Sequence, residues 1–143
     1  MIEIKTIKKI DGKGMVEKFK ETYGSIDRLK KFSKENPDSM RAHFDLKDWR
    51  YYEVHFTEEI ELTETIIGEN INIGQLELNI LDSIKNQKPK SVRELSKFLD
   101  KDPSTVQRKV NILEKTGLIS LKEGIKNSKI PVINYDKIEI TLL

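Results

Sequence analysis

The sequence predicts an α+β chain in two parts. A mostly helical extension covers residues 1–70, and three helices plus a β-hairpin cover residues 71–143. Two observations predict the second part. Three amphipathic runs after residue 71 each open on a capping residue and are separated by turns. Two β-prone runs then follow Gly117 and flank the loop "EGIKNSKI".

In chain order, "MIEIKTIKKI" places Ile2 and Ile4 in alternation and suits a short strand, which "DGKG" interrupts. Met15, Val16, Phe19 and Tyr23 then recur at helical spacing up to Gly24, a natural stop. Ser25 is expected to cap a helix bearing Ile26, Leu29 and Phe32. Asn36 is expected to cap the next, with Pro37 at its first position and Met40 and Phe44 on one face. "WRYYEVHF" is aromatic and reads as a strand, while the acidic residues 57–71 show no clear period and are expected to break at Gly68.

From residue 72 the signals sharpen. Asn72 and Gln75 suggest a capping box, and Ile73, Leu76, Ile80 and Ile84 form one apolar stripe. Leu78 and Leu81 lie on another side, so this helix needs cover from two directions. After the turn "NQKPK", Ser91 and Glu94 box a second helix with Val92, Leu95 and Leu99 inward. Asp102 caps a third helix, Pro103 sits at its first position and Gly117 ends it. "LISLK" and "PVINY" pair as a hairpin, and Ile138, Ile140 and Leu142 alternate in a third strand.

Composition limits the function classes. No cysteine is present, which excludes a disulfide framework or thiolate metal site and suits a reducing cytoplasm. No apolar run has the length of a membrane span, so no membrane role is expected. The net charge of +2 conceals a segregation. Residues 1–50 hold 13 Lys/Arg against 9 Asp/Glu, residues 51–90 hold 3 against 8, and residues 91–143 hold 10 against 7. Local basic excess, rather than the total, is what a polyanion meets.

The helix over residues 103–116 has the composition of a DNA-reading element. At about 100° per residue, Val106, Val110 and Leu113 cluster within about 60°. Ser104, Arg108, Asn111 and Lys115 fall opposite, with Thr105 and Gln107 on the flanks. An α-helix fits the major groove, where Arg matches the acceptor pair of guanine and Asn or Gln the edge of adenine. Ser104 and Thr105 stand at the helix start, where backbone N–H groups favour phosphate. Lys122, Lys126 and Lys129 of the hairpin are expected to touch the DNA backbone. A solvated face would share much of this composition; the capped helix and turn before it, and the hairpin after it, favour DNA.

The run "SVRELSKFLDKDPSTVQRKVNILEKTGLISLKEG" resembles the winged helix-turn-helix transcriptional regulators of archaea and bacteria, of the MarR-like kind. Ser91, Glu94 and Leu95 match one conserved pattern of that group. Ser104, Thr105, Val106, Arg108, Val110, Leu113, Glu114, Gly117, Leu118 and Ile119 match the next. "PVINYDKIEI" fits the ending of archaeal predicted regulators. The resemblance implies a winged helix, double-stranded DNA as partner, a cytoplasmic setting and no cofactor. Ile112 departs from it, since a polar residue is common there; it is expected to pack against the N-terminal region, the alternative being an exposed side chain that meets a thymine methyl.

A homodimer is expected, because one reading helix covers too few base pairs to select a site. Leu78, Leu81, Met15, Phe19, Ile26, Leu29 and Phe32 offer more apolar surface than one small domain needs. The Ile138–Leu142 strand is expected to pair with Ile2 and Ile4, within the chain or across a two-fold axis. A rival reading is an antitoxin-like module that binds a partner protein through its N-terminal region and autoregulates its operon. A third invokes His43 and His55 with Asp45, Asp48 and Glu53 as a nuclease or metal site, but their spacing matches no ligand motif. Trp49, Tyr51 and Tyr52 read as packing residues rather than base-stacking ones. No enzymatic activity is expected.

Overall fold

The computed structural model describes residues 1–143. It is an α+β fold of six helices and two small antiparallel sheets. Two compact units divide the chain: Met1–Ile7 with Thr63–Leu143, and Lys8–Leu62. The division therefore does not fall at residue 70. Ile4 is fully buried among Ile80, Leu95 and Val110, and this draws the first residues into the later unit.

In the unit of residues 8–62, α1 (Gly12–Tyr23), α2 (Ile26–Glu35) and α3 (Met40–Val54) pack around Met15, Phe19, Leu29, Ala42 and Trp49. The Phe19 and Trp49 rings stack with centroids 5.8 Å apart. Asp11 caps α1 by accepting from Gly14 N–H, and Ser25 caps α2 by accepting from Arg28 N–H. Gly12 admits a close approach, since a Cβ there would stand 2.0 Å from the His55 carbonyl oxygen.

Two expectations fail in this unit. Asn36 does not cap the third helix; it ends α2, with its N–H on the Phe32 carbonyl, and Ser39 caps α3 instead. "WRYYEVHF" is not a strand. Its first six residues continue α3, because Trp49 falls one full heptad after Ala42 and shares its buried face. His55 therefore sits at the helix C-cap, not in a strand.

In the other unit, α4 (Gln75–Gln87), α5 (Val92–Leu99) and α6 (Pro103–Thr116) precede a hairpin of β3 (Ser120–Glu123) and β4 (Lys129–Val132). Their core holds Ile80, Leu81, Ile84, Leu95, Val106, Val110, Leu113 and Leu118. Burying each such side chain contributes about 1.5–3 kcal/mol. The start of α4 is Gly74 rather than Asn72: Glu77 Oε2 accepts from Gly74 N–H at 2.9 Å. Leu81 is buried, whereas Leu78 stays 46% exposed, so cover comes from fewer directions than expected.

A second sheet has the order β2-β1-β5, from β2 (Glu59–Gly68), β1 (Ile2–Asp11) and β5 (Lys137–Leu142). β5 pairs antiparallel with β1 within the chain, setting Ile4 opposite Ile140 and Ile2 opposite Leu142. β2 occupies the acidic stretch that showed no clear period. Its inward positions Ile60, Leu62 and Ile66 do alternate, but glutamates interrupt the pattern. No helix is long and apolar enough to cross a membrane.

Candidate nucleic-acid interface

The helix start at Asp102 sets the geometry. Its carboxylate accepts from Thr105 N–H at 3.2 Å and from the Ser104 and Thr105 hydroxyls. Those bonds, the Ser104 hydroxyl foremost, hold the Asp102 carboxyl below its ordinary pKa. The helix start thus already carries an anion, and the Ser104 hydroxyl is engaged with it. This corrects the expectation of a helix terminus open to phosphate.

Further along α6, Val106, Val110 and Leu113 are at most 1% exposed, so the anchored face is complete. Opposite them Ser104, Gln107, Arg108, Asn111 and Lys115 are all exposed, and Thr105 is half-buried. Gln107 Nε2 donates to Asn111 Oδ1 at 2.9 Å, which aligns the two amides as one polar ledge. Gly117 ends the helix at φ 94°, a left-handed conformation that favours glycine. Ile112 is 47% exposed on this side, against the expectation that it is covered.

Lys109, outside the expected DNA-facing set, ties α6 to α4. Its ammonium lies 2.7 Å from Glu77 Oε1 on α4, and Glu77 is buried. The Lys109 hydrogen bond holds the Glu77 carboxyl below its ordinary pKa, outweighing the opposing effect of burial. The spacing gives a late clue, since Lys109 falls at the border of the apolar stripe.

Past the helix, Tyr135 is buried and donates from its hydroxyl to the Leu118 carbonyl at 2.7 Å, and burial pushes its pKa up to about 12. This bond ties the chain after the hairpin to the end of α6. At the hairpin tip, Gly124 N–H donates to Ser128 O at 2.8 Å, and Lys126 and Asn127 adopt left-handed φ of 55° and 61°. Lys122 and Lys126 are exposed. Lys129 is exposed too, and its ammonium pairs with Glu123, so the expected free cation there is already engaged.

The cationic ground is wider than the residues chosen from sequence. Arg93 and Lys97 lie one helical turn apart on α5, and Lys101 follows in the turn; all three are exposed. Residues 88–129 hold 11 Lys/Arg against 5 Asp/Glu.

The two histidines take structural partners. His43 lies 2.6 Å from Ser33 Oγ and 3.0 Å from the Pro37 carbonyl, and His55 lies 2.8 Å from the Tyr51 carbonyl. Because a carbonyl only accepts, His43 Nε2 carries the proton and Ser33 donates to Nδ1 when the ring is neutral. No group of three or more His, Asp or Glu side chains is placed to hold a metal ion.

Over residues 73–140 the chain is similar to the protein family described as HVO_A0114. No curated protein and no solved structure matches the chain.

Proposed function

We propose that the protein is a winged helix-turn-helix transcriptional regulator that binds double-stranded DNA in the cytoplasm as a homodimer. In this reading α5 and α6 are the helix-turn-helix, α6 lies in the major groove, and the β3–β4 hairpin is the wing. The observation that carries it is the two-sided character of α6. One face is at most 1% exposed at Val106, Val110 and Leu113, and the other presents Arg108, Asn111 and Lys115 to solvent. Basic excess over residues 88–129 surrounds that face. Phosphate contacts from α5 and the wing fix register, and Arg108 reads a guanine. The mechanism is steric and electrostatic, with no catalysis and no cofactor.

Selection of bound sites from random duplexes tests the reading, followed by the same selection with Arg108→Ala. The expected loss is about 1–3 kcal/mol of affinity with relaxed preference at one base position. A uniform loss across all sequences would make Arg108 a phosphate contact, and no enrichment with the wild type would sink the proposal. Binding to a foreign protein rather than DNA would instead favour the antitoxin-like reading, for which the exposed apolar residues of α3 are the relevant surface.

A further inference from the structure

α3 is apolar on two sides. Its inner side holds Ala42 and Trp49, each 1% exposed. Its outer side carries Met40, Phe44, Lys47, Tyr51 and Val54, spaced four, three, four and three residues apart. At about 100° per residue these five fall within about 80°, opposite Ala42 and Trp49. Exposure is 62% at Met40, 57% at Phe44, 43% at Tyr51 and 78% at Val54. Alternating steps of four and three form the seam by which one helix packs along another.

We infer that this outer stripe is a self-docking surface, on which α3 of a second copy packs antiparallel about a two-fold axis. The inference rests on the homodimer part of the proposed function and not on DNA binding. Three features favour a second copy. The spacing is self-complementary, because an axis between Asp45 and Leu46 sets Phe44 beside Lys47 of the second copy and Met40 beside Tyr51. Charge agrees: the same axis carries Arg41 across from Asp48 of the second copy on one flank, and symmetry repeats that pair. A parallel pairing would instead set Lys47 on Lys47 in the seam. Area also agrees. The four apolar side chains leave on the order of 500 Å² open per copy, the size of a functional patch. Two copies would bury about 1,000 Å², the threshold of a specific interface.

Tyr51 is already braced for this role. Its ring stacks on His55 with centroids 4.0 Å apart, and its hydroxyl donates to Glu58 Oε2 at 2.5 Å. An anchored aromatic loses little further freedom on docking.

Sedimentation equilibrium of the full chain tests the contact. The wild type is expected to be a dimer, and Phe44→Glu to raise its dimer Kd roughly 30-fold or more with unchanged helix content. Asp48→Arg is expected to weaken the dimer about 5–10-fold, and Arg41→Asp together with Asp48→Arg to restore it. A dimer that survives Phe44→Glu, or a double variant no tighter than the single one, overturns the inference and points to another surface, such as the outer edge of β5. A monomeric wild type removes this contact and the homodimer part together. The DNA reading is tested separately, by whether the wild type enriches bound sites from random duplexes.

Discussion

α3 and α6 are nearly the same length, 15 and 14 residues, and each fills a core with one side. They differ in what they turn outward. α6 shows amides, hydroxyls and cations with one exposed isoleucine, Ile112; α3 shows two aromatic rings, a thioether and a valine around one lysine. Polyanions are met by the first kind of surface, since phosphates and base edges reward donors and positive charge. Proteins are met by the second, since burial of apolar area drives association. The contrast teaches that a polar outer face identifies nothing alone; its meaning comes from the charge around it and from what the other helices of the chain expose.

Carboxylates placed on the two kinds of face give the sharpest contrast. Val110→Asp puts one where the native side chain is 0% exposed, and is expected to cost about 4 kcal/mol or more. Phe44→Glu places one on the open stripe of α3 and should leave the isolated fold within about 1 kcal/mol of wild type. Urea midpoints compare them directly; equal losses would mean that the α3 stripe is core, and the comparison would collapse.

A smaller effect concerns how α6 is held. Lys109→Ala leaves the Glu77 carboxylate buried without its ammonium, and a loss of about 2 kcal/mol at pH 7 is expected, below the usual range because Lys109 is partly exposed. The pH dependence has a definite sign. The folded Glu77 pKa lies below the ordinary 4.5, so the pair stabilises the protein above that pH and the contribution fades as pH falls through the lowered value. Wild type and variant should therefore converge in acid. A constant difference between pH 7 and pH 3 would assign the loss to packing of the lysine stem.

The smallest effect tests how far the polyanion surface extends beyond α6. Lys126→Gln should lower the salt slope of log K by about 0.9 if its ammonium meets one phosphate. Lys129→Gln should change it less, because Glu123 already pairs with that ammonium. Equal slopes in both variants and the wild type would confine binding to the helices.

How much of this was legible in the sequence depended on whether local chemistry and tertiary packing agreed. Asp102, Pro103 and Gly117 bracket α6 because caps act within a few residues. The Arg108 face followed from helical period alone. "WRYYEVHF" misled because aromatic and branched side chains favour strands, while the register that buries Trp49 under Phe19 is set by α1. β2 was obscured because Glu64 falls in register with the inward positions Ile60, Leu62 and Ile66 yet stays exposed, which breaks the alternation. The Lys109–Glu77 pair joins residues 32 apart in sequence, and no local pattern announces it.

Glu77 holds Gly74 N–H with one carboxylate oxygen and the Lys109 ammonium with the other. Val106, Val110 and Leu113 seat α6 by close packing, and the Lys109–Glu77 pair adds a directional contact between α6 and α4 at the border of that packed surface. Lys109 is the immediate neighbour of Arg108, so the exposed face that carries Arg108 is oriented by a contact one residue away. Arg108, Asn111 and Lys115 are then free to be exchanged for other side chains without altering where the helix points.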